Sequence, residues 1–381
     1  MAFFFIKFIL TNILFSLILG LVLVRINETY FQGRPSALFK KFSNFELILY
    51  SLGLGPIFTV LLLYYLMLFL HDYSDIFYLV SIAMVYLVLL TVARKSAYHL
   101  LSKIRYTLSS FLNTLKESDI KKRIGTLSYA LIILFLFLLF SLTFVGKALK
   151  NPLEGHDILV YGNIGKIYYQ DKAIVYSDSI YNEKNGFYYI GSPKPAFSLL
   201  LTWEMILNHS LKANKDSSHA MDYTFDINFR SISAYYGLLI VFLSVYWLNR
   251  RNKYLALLGI LVLFSGLRFF LIFINCHMDS YRIFFLLVSW IFLGYSLQKK
   301  DNLSFILLGV FSGFAAFAHL IGLVIALINC LAWFLFSEFP MANKLKKAGL
   351  LVLVILIFGG LHYFLDIFFG AEWGFITYFL K

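Results

Sequence analysis

The sequence predicts an all-α polytopic membrane protein: about ten transmembrane helices and a large outer loop containing interfacial amphipathic helices. Three observations predict it. Of 381 residues, 60% are hydrophobic and only 14% charged, with a mean hydropathy of +0.79, whereas soluble chains are about 25% charged. Apolar runs long enough to cross a hydrocarbon core of about 30 Å recur along the chain. Those runs do not alternate polar and apolar residues as barrel strands do, which leaves helix.

Taken in order, residues 1–125 form an N-terminal three-span segment with spans at 3–24, 45–70 and 76–92. The first apolar run is longer than a signal-peptide core, and no small-x-small cleavage site follows it, so an uncleaved helix is expected. Residues 126–381 form a membrane bundle with spans at 126–146, 231–248, 254–275, 281–297, 303–319, 321–336 and 348–368, and it includes the outer loop 147–230. The loop between the third and fourth spans carries Arg94, Lys95, Lys103, Arg105, Lys116, Lys121, Lys122 and Arg123 against only Glu117 and Asp119. Excess Lys and Arg mark the cytoplasmic side. Arg250, Arg251 and Lys253, then Lys299 and Lys300, then Lys344, Lys346 and Lys347 fall on that same side by alternation. The 147–230 loop is therefore expected outside, in the periplasm or extracellular space, with the protein in the inner or plasma membrane.

Other classes are excluded by the same pattern. The net charge of +13 sits in loops between spans, which is a topology signal and not a nucleic-acid-binding face. The 42 Phe and 26 Tyr read as lipid-facing bulk and interfacial belts. Cys276 and Cys330 lie in or beside apolar runs without metal-ligand spacing.

The outer loop holds nine acidic and nine basic residues, and its length predicts a folded element and not a bare connector. Residues 157–169 place Ile158, Val160, Tyr161, Ile164, Ile167 and Tyr168 at helical spacing, predicting an amphipathic helix in the membrane interface. Pro193 and Pro195 break the chain before a second short apolar helix at 196–207. A polar linker at 212–226 follows. The two helices together read as a lid on the bundle.

The loop also gathers the candidate chemistry. Asp157 opens the first interfacial helix, where a carboxylate is favoured as a plain cap. At the outer surface it can equally take a proton from an acceptor hydroxyl or amine as a general base, and Glu154 is placed to share its site. Lys194, between two prolines, and Arg282, at the start of a span, read either as donor-phosphate cations or as snorkelling anchors. His319, closing a span at the same surface, reads as a third phosphate ligand or as a packing histidine. Arg268 lies within a span and needs a partner such as Asp279, Asp157 or a phosphate. Asp279 could join Asp157 in an oxygen-only site for Mg²⁺ or Mn²⁺, or pair with Arg282 three residues on.

These residues carry a resemblance. The segments EGHDILVYGNIGKIYYQDKAI and SPKPAFSLLLTWEMI, the outer turn His277-Met278-Asp279-Ser280-Tyr281-Arg282, and the span running from Gly309 and Gly313 to His319, Gly322 and Leu323 resemble bacterial polyprenol-dependent glycosyltransferases of the GT-C superfamily. The protein-mannosyltransferase-like and aminoarabinose-transferase-like branch is the most similar. Where that branch carries His-Pro, this chain has Ser192-Pro193, and three spans precede the usual first one. The resemblance implies transfer of a hexosyl or pentosyl group from a polyprenyl-phosphate or pyrophosphate donor to a lipid, glycan or protein acceptor, with Asp157 as base. Its implied partners are the donor, the acceptor and the lipid bilayer, with no nucleic acid. The alternatives are a transporter or flippase, which would line mid-membrane positions with ionisable groups, or a polymerase or ligase of lipid-linked glycans.

Overall fold

The computed structural model describes residues 2–30, 43–114, 120–150, 161–174, 195–209, 221–266, 271–273, 279–299 and 301–368. Among them there are helices and turns and no strand. Six helices are long and apolar enough to cross a membrane: Leu10–Thr29, Phe45–Phe69, Asp75–Arg94, Ile232–Arg251, Asp279–Gln298 and Met341–Leu365. The fold is thus that of an all-helical, multi-pass membrane protein.

The order is α1 (Ala2–Tyr30), α2 (Asn44–Phe69), α3 (Asp75–Thr114), α4 (Ile120–Lys150), α5 (Asn163–Asp171), α6 (Pro195–His209), α7 (Met221–Arg251) and α8 (Lys253–Ser265), followed by α9 (Asp279–Lys299), α10 (Asn302–Ala318), α11 (Leu320–Phe336), α12 (Met341–Ile355) and α13 (Leu361–Phe368). The expected spans at 126–146, 254–275, 303–319 and 321–336 fall on α4, α8, α10 and α11, whose apolar stretches are shorter. At 1.5 Å per residue, the 17 residues of α10 or α11 reach about 26 Å, just under the hydrocarbon thickness. Two boundaries move. Helix α7 begins at Met221, inside the stretch expected to be linker, because no proline interrupts the chain from there to Arg251. Helix α3 is one continuous helix of 40 residues, running well past its expected span.

The bundle is stitched by backbone carbonyls that irregular positions set free. Pro56 sits inside α2 and has no N–H, so the carbonyl of Leu52 loses its helical partner. The Tyr235 hydroxyl donates to that carbonyl at 2.6 Å and the Ser16 hydroxyl at 3.3 Å. Next to it, Tyr236 donates to the Gly53 carbonyl at 2.8 Å. A second break, the π-turn Leu356–Gly360 between α12 and α13, holds Gly359 at φ 149°. That conformation suits glycine, and a Cβ there would also strike Phe317 at 2.3 Å. The Tyr65 hydroxyl donates to the carbonyl of Ile357 in this turn at 2.5 Å. Residues of α1, α2 and α3 share one buried core with those of α9, α10 and α12.

Helices α10 and α11 form an antiparallel hairpin joined by one residue, His319, in extended conformation (φ −166°, ψ 157°). Phe305 near the start of α10 meets Trp333 near the end of α11, ring centroids 4.8 Å apart. Between them Asn329 donates to Ser289 and Ser312 at 3.1 and 3.0 Å. Gly309 and Gly313 lie against Val354, Ile355 and Phe358 of the α12 region, so this G-x-x-x-G spacing has a close-packing role.

Helix α6 departs from expectation. Each residue from Pro195 to Leu207 is buried, because α5, α2, α3, α7 and α10 surround it. A helix buried on all sides belongs in an interior, so the interfacial reading is corrected to a core helix. Helix α5 does fit the amphipathic expectation: Ile164, Tyr168 and Tyr169 are buried, while Lys166, Gln170 and Asp171 are exposed.

Candidate functional site

The charged contacts between helices sort into two ends of the bundle. One end has the turn between α2 and α3, the end of α5, the start of α9 and His319. The other has the starts of α2 and α10, the ends of α7 and α9, and the α12 lysines.

At the first end, three of the candidate residues come together. The Arg282 Nη2 donates to the Asp279 carboxylate at 2.6 Å, one turn earlier on α9. Its Nη1 donates to His319 Nδ1 at 3.2 Å. The same Nδ1 accepts the Ile321 backbone N–H at 3.1 Å, capping α11. A guanidinium can only donate, so Nδ1 supplies a lone pair to both neighbours. The tautomer assigned by this network carries its proton on Nε2. The result is a cation held by one carboxylate and one imidazole, its side chain 18% exposed. It can reorganise toward an anion without crossing the core.

The fates of the candidates differ. Asp279 takes the ion-pair alternative with Arg282. Glu154, Asp157, Lys194 and Arg268 lie outside the described residues, and with Asp157 goes the second carboxylate of the Mg²⁺ or Mn²⁺ expectation. Among the described residues no group of three His, Cys, Asp or Glu side chains converges as a metal site.

One turn from His319 begins an apolar groove. Leu323 donates its N–H to the His319 carbonyl at 3.2 Å and, with Ala326, Cys330, Val352, Ile355 and Tyr363, lines a cavity of about 220 Å³ between α11 and the α12–α13 kink. Both helices pack on α10 more closely than on each other, and the gap between them opens to the outside of the bundle at the exposed Leu327 and Phe364.

Sequence reasoning missed several ionisable groups. Asp75, 8% exposed, pairs with Lys172 and accepts the Tyr169 hydroxyl at 2.9 Å. Burial pushes the Lys172 ammonium below the ordinary lysine range, while Asp75 pulls it back up. Burial, with Asp75 beside it, pushes the Tyr169 phenol up. At the opposite end Glu46, 1% exposed, accepts from Tyr50 at 2.8 Å and Tyr295 at 3.0 Å, with Arg250 at 3.5 Å. Its signal was readable: Ser43 and Glu46 have capping-box spacing, and Ser43 does accept the Glu46 N–H at 3.0 Å. Glu204 is fully buried on α6, and its signal was an acid inside an apolar run.

The fold and these contacts define a class, the multi-pass helical membrane protein with buried ionisable groups. Comparison with known proteins adds no family: no family model, no curated protein and no solved structure matches the chain.

Proposed function

We propose that the protein is an integral membrane glycosyltransferase that moves a sugar from a polyprenyl-phosphate or pyrophosphate donor to an acceptor at the outer face of the membrane. The proposal includes ten crossings, with the basic loops cytoplasmic. In this reaction the acceptor hydroxyl or amine attacks the anomeric carbon while Asp157 takes its proton, with Glu154 beside it. The glycosidic C–O bond to the lipid phosphate breaks, and the phosphate leaves with the bonding pair. Lys194, Arg268, Arg282 and His319 stabilise the charge that develops on that phosphate.

The observation that carries the reading is the Asp279–Arg282–His319 contact set. It supports a phosphate site because a partly exposed guanidinium lies at the end of the bundle against His319, one turn before an apolar groove. An incoming phosphate would replace Asp279 as the partner of Arg282. A second reading, transport, is favoured by one observation, the fully buried Glu204 in the bundle core.

The test is transfer from radiolabelled polyprenyl-phosphate sugars by purified protein in lipid nanodiscs. Loss of about 100-fold or more in Asp157→Asn is expected for a general base. Equal rates for the two proteins would remove Asp157 from that role. Absence of transfer from every donor, with substrate-dependent flux in proteoliposomes that falls in Glu204→Gln, would replace the enzyme by a transporter.

A further inference from the structure

Helix α5 lies over the buried helix α6, held by close packing at Gly165, and Lys172 at its C-terminal end ties it to the α2–α3 turn as well. Gly165 packs so closely on α6 that a Cβ there would sit 2.6 Å from the Ser198 carbonyl and 3.1 Å from Leu201 Cβ. The Thr202 hydroxyl donates to the Gly165 carbonyl at 2.9 Å. Where Gly165 packs, α6 carries Ser198 and Thr202, both fully buried; Glu204, also fully buried, lies about 200° around the helix from Thr202. This is a polar content that a helix within a membrane bundle rarely keeps without a use.

Lys172 follows α5 in the left-handed conformation, φ 51° and ψ 28°. Glycine is the usual residue there, because a Cβ crowds the neighbouring carbonyl. The surrounding contacts hold it in place. Its carbonyl accepts the Asp72 N–H at 3.3 Å and the Tyr78 hydroxyl at 3.1 Å. Its ammonium pairs with Asp75 and lies 3.5 Å from the Tyr169 ring centroid. The Lys172 and Asp75 side chains are only 17% and 9% exposed, so this is not a surface ion pair of negligible strength. Removing Lys172 leaves Asp75 buried without this counter-ion, its Tyr169 hydrogen bond remaining.

We infer that Lys172 is a latch: it fastens α5 to the α2–α3 turn as a lid, and its release opens the polar interior around α6 to the aqueous face. The inference stands whether the interior serves a glycosyl donor or a transported solute. The latch belongs to the side chain and not to the helix ending, which gives a discriminating variant. Lys172→Gly relaxes the backbone but removes the ammonium.

The test uses Leu201→Cys, 5% exposed and directly under Gly165, in the full chain with Cys276→Ser and Cys330→Ser, probed with a membrane-impermeant maleimide. Labelling is expected to be slow with the latch intact. It should rise about tenfold or more in Lys172→Met, Lys172→Gly and Asp75→Asn, and fall back when Lys172→Asp is combined with Asp75→Lys. A control cysteine at Ser312, fully buried between α9, α10 and α11, stays unlabelled throughout. Unchanged Leu201→Cys labelling in the latch variants, or a tight lid in Lys172→Gly, overturns the latch. Labelling of the Ser312 control in step with Leu201 also overturns it, because the variants would then loosen the whole bundle.

Discussion

Arg282 donates to His319 at 3.2 Å, so the start of α9 is fastened to the single residue that separates α10 from α11. His319 thereby serves two structures at once, as acceptor for a guanidinium and as cap for a helix. His319→Ala removes both, with an expected loss of about 1 kcal/mol from the cap alone. His319→Asn retains a short cap acceptor while leaving Arg282 to Asp279. Thermal melting in one detergent should rank Asn between wild type and Ala, and equal melting of the two variants would count against the cap.

The turn at His319 works only because Gly322 follows it. A Cβ at Gly322 would lie 1.7 Å from the Ala315 carbonyl oxygen, backbone that cannot swing aside. Gly322→Ala is expected to push the hairpin apart at a cost of about 3 kcal/mol, the upper range for overpacking. Gly349, on α12, has nothing within 4 Å of its added Cβ. There Ala should be neutral or stabilising by about 0.5 kcal/mol through helix propensity. Melting temperatures of the two variants check the pair.

Magnitudes also decide which partner of Glu46 matters. The Tyr50 and Tyr295 hydroxyls reach its carboxylate at 2.8 and 3.0 Å, whereas Arg250 is at 3.5 Å with a side chain 51% exposed. Tyr295→Phe is expected to cost about 1 kcal/mol, and Arg250→Ala less than about 0.5 kcal/mol. Glu46→Ala, which removes the acceptor of the buried Tyr50 hydroxyl and of the half-buried Tyr295 hydroxyl, should cost about 2–4 kcal/mol. Denaturation of the single variants tests the order, and Arg250→Ala ranking first would reverse the assignment.

Orientation can be read by labelling. In intact cells, cysteines at Ser74 and Gln170, both exposed at the lid end, are expected to react with an impermeant reagent. Cysteines at Arg251 and Lys346, exposed at the other end, should react only after permeabilisation. The reverse pattern would invert the topology and move the lid to the cytoplasmic face.

Much of the architecture was legible because hydropathy is additive along a chain. The sequence by itself determined that this is a helical membrane protein, where most helices run, and that Asp279, Arg282 and His319 belong among the candidates. Their positions at the start of one apolar run and the end of another were sufficient for that. Tertiary structure alone decided that α6 is a core helix, that Lys172 meets Asp75 across 97 positions and that Glu46 meets Tyr295 across 249. Lipid tails are as apolar as helix faces, so a buried helix and a lipid-facing one have the same composition. Which of them lies inside, and which charges meet there, depends on close approaches at residues such as Gly165 and Gly322, and hydropathy carries no record of those.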